Sequence, residues 1–271
     1  MIRGTGIYMI NRFSYSSLET YRKCSHRFKL RYLDKIQKPD EGIEAFMGKR
    51  VHEALEFLYN EVLAGRFVLF DSVIDFYRLN WRQKWHDRIA IVRSEHSSED
   101  YYSLGENCLA WYYRTYHPFE QSVVGNEIVL EFSLDGDRNY RLKGIVDRLD
   151  HDGNGHWEIH DYKTGKRAFT QNQADRDGQL ALYQLALKQK ERDVRRVTLV
   201  WHFVQRRVEV RSSRNAQQLR ALIQRTRATI DEIRLKIENA GSFPPRETIL
   251  CNWCYFWEEC PVKRGTNPYF C

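Results

Sequence analysis

The sequence predicts an α/β fold, with a mixed central sheet flanked by helices, a helical insertion and a cysteine-rich C-terminal tail. Two runs with strand character, 139–150 and 156–163, flank a Gly-Asn-Gly turn that favours a tight hairpin. A helical segment at 177–189 then precedes another strand at 195–205, an order typical of a helix that crosses over a sheet. The segment from about 65 to 120 is helical in pattern and rich in aromatic residues, which indicates an insertion packed by its own core.

Composition sets the broad class of protein. A chain of 271 residues with 42% hydrophobic and 14% aromatic content can bury a sizeable core. Lys and Arg exceed Asp and Glu by 43 to 36, a modest excess that favours a polyanionic partner. No apolar run approaches the roughly 18 residues of a membrane helix, and the N-terminus has no secretory signal pattern, so we expect an intracellular, cytoplasmic protein without a membrane partner.

Helical periodicity covers the first part of the chain. Residues 1–13 form a short lead-in with a candidate edge strand, and 14–33 is predicted as one helix that begins with a Ser16–Glu19 capping box. A second helix is expected over 41–63, with His52 at the edge of its apolar stripe.

Strand patterns dominate the middle of the chain. The runs 126–134 and 139–150 predict a hairpin, and Glu127 and Glu131 are interpreted as solvent-facing charges that could also supply a metal ligand. After Lys163 we expect a basic, polar loop over 164–177, and a long arginine-rich helix from 216 to 239 follows the last strands. The expected domain division is 1–245 and a tail, 246–271.

Two carboxylates and a lysine define a candidate site at the end of the 156–163 strand. Alternation puts Asp161 and Lys163 on one face of the strand with Tyr162 pointing away, and a hairpin can place Asp147 beside that pair. Such a group can hold a hard divalent cation and a phosphate.

Three further residues have an ordinary interpretation beside a functional one. His52 taken alone is a buried histidine, Tyr183 is core filler and Gln179 is a surface residue. Gln179 and Tyr183 share one helix face because they are four residues apart, so both can point toward the same site.

The cysteines suggest a metal site rather than disulfides in an intracellular protein. Cys251, Cys254 and Cys260 form a C-x₂-C-x₅-C cluster, which leaves a four-thiolate site one ligand short, and Cys24 is the candidate fourth ligand. Four thiolates suit either zinc or a [4Fe–4S] cluster. Cys108 is interpreted as a buried thiol, and Cys271 as a spare thiol that could substitute for Cys260.

Five motifs, in this order along the chain, resemble the PD-(D/E)XK nuclease superfamily, and most closely its RecB-like branch. They are SYSSLETYRKC ending at Cys24, G-x-x-x-H-x-x-L-E around His52, D…D-x-K from Asp147 to Lys163, Q-x-x-x-Y from Gln179 to Tyr183, and the cysteine tail. The family usually has Pro after the first cysteine, where this chain has Ser25. The split cysteines are similar to those of iron–sulfur nucleases of the AddB, exonuclease V and CRISPR-adaptation types, which favours iron–sulfur over zinc.

The resemblance implies a restriction-endonuclease-like core and a metal-dependent deoxyribonuclease, most similar to exonucleases that act on single-stranded or end-bearing DNA in repair and recombination. It implies that His52, Asp147, Asp161 and the Tyr162 carbonyl hold Mg²⁺ or Mn²⁺. Lys163 would then position water or offset charge on the phosphate, and Gln179 and Tyr183 would orient the DNA or the lysine.

Two alternatives remain open. One is a non-catalytic DNA-binding scaffold subunit, and the other is an endonuclease or spacer-processing nuclease of CRISPR adaptation. The sequence has no G-x-x-x-x-G-K-[ST] motor motif, so we expect DNA ends that are already exposed or a helicase or other protein partner.

Overall fold

The computed structural model describes residues 10–263 and 265–270, and these form two compact units. We name them by their place in the chain. The terminal unit comprises the described residues of 10–39, 131–144 and 215–268, and the central unit those of 40–130, 145–214 and 269–270. Cys271 and most of the predicted lead-in, residues 1–9, lie outside the described residues. The expected division at residue 245 stays a prediction.

The secondary structure alternates between helices and strands, as follows. The α-helices are α1 (Tyr15–Lys23), α2 (Ser25–Phe28), α3 (Ile43–Leu63), α4 (Phe70–Lys84), α5 (Ser98–Tyr116), α6 (Gln171–Arg176), α7 (Gln179–Lys190) and α8 (Ala216–Glu238). The strands are β1 (Glu41–Gly42), β2 (Ile89–Ala90), β3 (Val123–Ser133), β4 (Arg141–His151), β5 (His156–Lys163), β6 (Arg196–Phe203) and β7 (Val208–Ser212).

A five-stranded mixed sheet runs in the order β3-β4-β5-β6-β7. Strand β5 pairs antiparallel with β4 and parallel with β6, and β6 pairs antiparallel with β7. The parallel pair needs a crossover connection, and the chain between β5 and β6 contains the predicted helix α7. The prediction of a mixed α/β fold with a central sheet and flanking helices is therefore confirmed.

Helices α3, α4 and α5 of the central unit share a large aromatic core. Phe57 stacks on Phe76 with ring centroids 4.6 Å apart, and Phe46 meets Trp81 edge to face at 4.9 Å. The same core includes Tyr162 of β5, so the predicted insertion packs on the strand that carries the candidate site. Strand β1, which precedes α3, pairs parallel with β2, which lies between α4 and α5; the sequence did not indicate this pairing.

Three local predictions were wrong: the single helix over 14–33, its Ser16–Glu19 capping box and the loop over 164–177. The expected single helix over 14–33 is interrupted at Cys24, where the backbone is extended and the thiol accepts a hydrogen bond from the N–H of Arg27. The first helix begins with a capping box formed by Ser14 and Ser17, because the serine two residues earlier has the extended backbone that an N-cap needs.

The expected loop over 164–177 also contains a helix, α6. Thr170 caps α6 by accepting a hydrogen bond from the N–H of Gln173, whose side chain returns to the N–H of Thr170. This capping box was visible in the sequence as T-x-x-Q.

Among the described residues, no helix is both long and apolar enough to span a membrane.

Helices α4 and α5 approach closely at Gly105, which leads to a stability prediction. A Cβ at this position would overlap the hydroxyl of Tyr77, which donates a hydrogen bond to the carbonyl of Tyr102. Ala favours a helix over Gly by about 1 kcal/mol, whereas overpacking costs about 1–3 kcal/mol. The difference leaves a net cost, so we expect Gly105→Ala to lower the free energy of unfolding by up to about 2 kcal/mol in urea denaturation.

A matched control is Gly165→Ala, whose added Cβ would have no neighbour within 4 Å and should be close to neutral. In a Tyr77→Phe background the cost of Gly105→Ala should shrink, because the hydroxyl is the nearest atom to the new methyl group. An equal cost in both backgrounds would show that the hydroxyl does not limit this position and that the overlap is with the ring carbons at 2.6 and 3.0 Å.

Candidate active site

The β4–β5 hairpin places Asp147 against the end of β5. Its half-buried carboxylate accepts a hydrogen bond of 2.7 Å from the backbone N–H of Tyr162. Asp161, only 3% exposed, lies on the neighbouring strand β5 and interacts electrostatically with Asp147. The structure thus brings together the two carboxylates that the sequence pattern selected.

His52 reaches the same place from helix α3. Its Nε2 lies 2.8 Å from the carbonyl oxygen of Tyr162, and its Nδ1 lies 3.6 Å from Oδ2 of Asp147. Because a carbonyl oxygen can only accept, Nε2–H of His52 donates this hydrogen bond, which holds the imidazole next to Asp147. The side chain of Tyr162 points away into the aromatic core, as the alternation predicted.

Glu127 is a third acidic member of this group. The sequence favoured a solvent-facing charge here and left a metal ligand open as the alternative, and the position of Glu127 agrees with that alternative. One ligand atom from each of His52, Glu127 and Asp147 lies within 4.8 Å of the other two. The Glu127 backbone has a positive φ of 48°, which breaks the alternation of strand β3. The alternation of side chains along a strand could not predict this change of direction. The only signal in the sequence was that an acidic residue lies in a strand of the predicted hairpin.

Asp161, Lys163 and Gln179 form a compact triangle beside this group. The ammonium of Lys163 lies 2.7 Å from Oδ2 of Asp161 and donates to Oε1 of Gln179 at 3.0 Å. The amide of Gln179 donates in turn to Oδ1 of Asp161 at 2.9 Å. The amide orientation is therefore fixed by both partners, and the predicted role of Gln179 in orienting the lysine has a geometric basis.

Two residues of the α7 region complete the surroundings. Tyr183 is buried, and its hydroxyl interacts with the side chain of Gln179 one helical turn away. Asp177, which sequence reasoning did not select, accepts from the N–H of Gln179 at 2.9 Å. It also interacts electrostatically with Lys163, so three carboxylates surround this ammonium group.

Burial and charge repulsion raise the pKa values of two carboxyl groups in this site. Burial raises the pKa of Glu127 to about 7, and repulsion by Asp147 adds to it. Burial also raises the pKa of Asp147 to about 6, against the attraction of His52. Burial lowers the pKa of Lys163, but attraction to Asp161 and Asp147 outweighs it and the net pKa is raised. The carboxylates thus repel one another where a bound cation would relieve the repulsion.

A second acidic group, on the opposite face of the sheet, has its charges already compensated. Oxygen and nitrogen atoms of Asp150, Glu158 and His160 also lie within 4.8 Å of one another. Arg148 binds both oxygens of Asp150, at 2.9 and 3.0 Å, and Arg211 binds Glu158 at 2.6 Å. We therefore regard this group as part of a structural network.

The terminal unit contains the four predicted thiol ligands around one small, mostly apolar cavity. Cys24, Cys251, Cys254 and Cys260 all line it. Backbone N–H groups of Arg27, Thr248 and Phe256 point at three of the sulfurs. Burial raises the pKa of Cys254. Cys108, by contrast, is buried in the helical core of the central unit, where burial raises its pKa to about 12.

The sequence profile of the PD-(D/E)XK nuclease superfamily matches residues 12–261. This range is most of the chain and includes every residue of the site described above, so the chain belongs to the PD-(D/E)XK nuclease superfamily and is a nuclease. Among curated proteins, no sequence matches this chain.

The chain is similar to two solved structures, of which the first supports this fold. A candidate exonuclease from Eubacterium rectale superposes with a TM-score of 0.55 at 10% sequence identity, over 98% of this chain and 96% of that one. The protein SSO0001 superposes with a TM-score of 0.41 at 14% identity, over 98% of this chain and 90% of that one. At such low identity, the first similarity shows a shared fold and nothing further.

The position of Glu127 leads to a prediction about metal binding. Replacing it with Gln removes a charged oxygen ligand at nearly constant volume. Affinity for Mn²⁺, measured by isothermal titration calorimetry on the protein without DNA, should fall by about 10-fold or more.

Glu131→Gln is the matched control on the same strand, since Glu131 is exposed and paired with Arg12. It should leave Mn²⁺ affinity unchanged. Equal affinities of the Glu127→Gln and wild-type proteins would remove Glu127 from the ligand set.

Proposed function

We propose that this nuclease is a divalent-metal-dependent deoxyribonuclease, acting as an exonuclease on single-stranded or end-bearing DNA in repair or recombination. The observation that carries the proposal is the convergence of His52, Glu127 and Asp147 next to the Asp161–Lys163 ion pair. Membership of the superfamily supports phosphodiester hydrolysis. The exonuclease assignment follows from the resemblance of the motifs.

The donor set fits Mg²⁺ or Mn²⁺. Carboxylate and carbonyl oxygens suit both ions, and imidazole suits Mn²⁺. His52, Asp147, Glu127 and the carbonyl of Tyr162 would hold a first ion. Oδ2 of Asp161 is buried and has no hydrogen-bond partner among the described residues besides its ion pair with Lys163. It is therefore available as a further ligand. A bound ion would supply the Lewis acid that polarises the scissile phosphate.

The remaining groups would position the attacking water and the lysine and would neutralise negative charge on the phosphate. Lys163 would hold the attacking water or stabilise the charge that develops on the phosphate oxygens. Its ammonium is held between Asp161 and Gln179 before substrate binds. Because Gln179 also binds Asp161, it would keep the lysine and the carboxylate from rotating independently. Tyr183 would in turn hold Gln179 in place.

We further propose that the four cysteines of the terminal unit hold a [4Fe–4S] cluster. The thiols face one apolar cavity, and backbone N–H donors near the sulfurs are a feature that tunes such clusters. Thiolates suit zinc as well, and the split spacing of the motif favours iron and sulfide. The cluster would join the segment around Cys24 to the C-terminal cysteines and hold them in one fold.

The nuclease proposal is tested by digestion of end-labelled linear and circular single-stranded DNA with Mn²⁺ or Mg²⁺. Wild-type protein should degrade the linear DNA only. Lys163→Ala should lower kcat by at least about 100-fold, the usual cost of losing one charge-stabilising group. Protein purified anaerobically avoids inactivation through an oxidised cluster.

Lys188→Ala, an exposed lysine on helix α7, is the control and should cleave normally. Cleavage of circular DNA would favour the endonuclease or spacer-processing alternative. A folded wild-type protein that binds DNA but cuts neither substrate would favour the non-catalytic scaffold.

The cluster proposal predicts iron and acid-labile sulfide in the anaerobically purified protein. Cys251→Ser should lose both, together with the visible absorption of the cluster, because one thiolate ligand is removed.

Cys108→Ser is the control and should leave the iron content unchanged, since Cys108 is buried in the core of the central unit and does not line the cysteine cavity. Stoichiometric zinc without sulfide in the wild type would replace the cluster with a zinc site.

A further inference from the structure

A cavity in the terminal unit has the volume and lining of a small-ligand site. It measures about 450 Å³, within the usual range of ligand pockets. Three cations, Arg12, Lys35 and Lys143, line it together with the aromatic rings of Phe28 and Tyr32. None of these residues belongs to the metal site or to the cysteine group.

The fold builds this cavity from three separate segments. Phe13 bridges to Leu142 beside strand β4, with its N–H donating to Arg141 and its carbonyl accepting from Lys143. This pairing brings Lys143 next to the start of α1. Lys35 follows the helical turn that carries Tyr32, at a positive φ of 54°.

The cationic side of the cavity is not neutralised. Lys35 and Lys143 are exposed, and among residues 10–263 and 265–270 neither ammonium group forms an ion pair. Arg12 shares its charge with Glu131. Two lysines without a carboxylate partner at one cavity attract an anion of the size of a phosphate.

The opposite side is aromatic. Phe28 is fully buried, and its ring lies 5.3 Å from that of Tyr32 at a tilt of 36°. Tyr32 is only half-buried, so part of its ring faces the cavity, while Arg31 lies over it at 5.4 Å. Bases of single-stranded DNA stack on rings presented in this way.

We propose that this cavity binds one nucleotide of a single-stranded DNA, with its phosphates at Lys35 and Lys143 and its base against Tyr32. A cationic patch beside an open aromatic ring is the combination that single-strand binding uses. The inference rests on the proposed function in one respect, namely that DNA is the substrate.

The first test measures binding without cleavage. Anisotropy of a short labelled oligonucleotide in EDTA gives the dissociation constant at several salt concentrations. In the double variant Lys35→Gln, Lys143→Gln the affinity should fall, and the slope of log K against log salt should shrink by about 1.4, the value for two lost phosphate contacts. An unchanged slope would overturn the proposal.

The control has the same change of charge elsewhere. Lys188→Gln with Lys190→Gln removes two exposed lysines of helix α7 that do not line the cavity, and should leave the slope at the wild-type value. An equal decrease in both double variants would mean that net charge alone sets the affinity, and would also overturn the proposal.

The second test isolates the base. Tyr32→Leu should weaken binding of a normal oligonucleotide by about 10-fold, and binding of an abasic strand much less. Tyr32→Phe keeps the ring and should bind both strands as the wild type does. Equal losses on normal and abasic strands would show that Tyr32 does not stack on a base.

Two further measurements separate this inference from the nuclease assignment. Hydrolysis of bis(p-nitrophenyl) phosphate with Mn²⁺ uses the metal site alone, so the Lys35, Lys143 variant should retain its kcat/KM; a parallel loss would mean structural damage and overturn the proposal. A wild type that hydrolyses neither this diester nor DNA would refute the nuclease function, while the binding comparison still decides the cavity.

A free nucleotide is the other source of the same chemistry. Thymidine monophosphate that binds the wild type but not the lysine variant, with oligonucleotide affinity unchanged, would assign the cavity to free nucleotides and overturn the strand proposal.

Discussion

The candidate active site depends on the buried guanidinium of Arg148. This group is 1% exposed, and a buried charge is tolerated only when it is paired and hydrogen-bonded. Asp150 accepts two of the five guanidinium protons and the hydroxyls of Tyr59 and Tyr112 accept two more. The fifth is directed at the ring of His160, whose nitrogens lie 3.1 Å away. Tyr112 also bonds the hydroxyl of Tyr162 at 3.2 Å. The network therefore fixes the side chain of the residue whose backbone N–H binds Asp147 and whose carbonyl meets His52.

The two faces of the sheet divide structural from chemical roles. Alternation along β5 sends His160 and Tyr162 to the face covered by the helical insertion, while Asp161 and Lys163 occupy the other face. The covered face can bury polar groups because each finds a partner, such as the 2.8 Å contact between His160 and His202. The other face leaves Lys163 partly open, which a site for a polymeric substrate requires.

Prediction succeeded where local pattern and tertiary structure agree. Strand β5 has the same bounds, 156–163, as the run read from the sequence, because alternating apolar residues and a glycine turn specify it locally. The motif residues were found because a fixed spacing on one strand or one helix face survives folding, as for Gln179 and Tyr183. The helix over 14–33 was predicted without its break. The backbone is extended at Cys24, whose thiol accepts a hydrogen bond from the N–H of Arg27, and helical periodicity does not record this contact.

The sequence by itself determined the fold class, the residues of the D…D-x-K hairpin and the C-x₂-C-x₅-C run of the tail, because periodicity and spacing are local properties of a chain. Only the tertiary structure decided that Glu127 joins His52 and Asp147, since a single positive φ redirects its carboxylate. Tertiary structure also decided that Lys35 and Lys143, far apart in sequence, share one cavity with Tyr32. Side chains from distant segments meet only when the whole backbone path is fixed, and no one-dimensional pattern records that path.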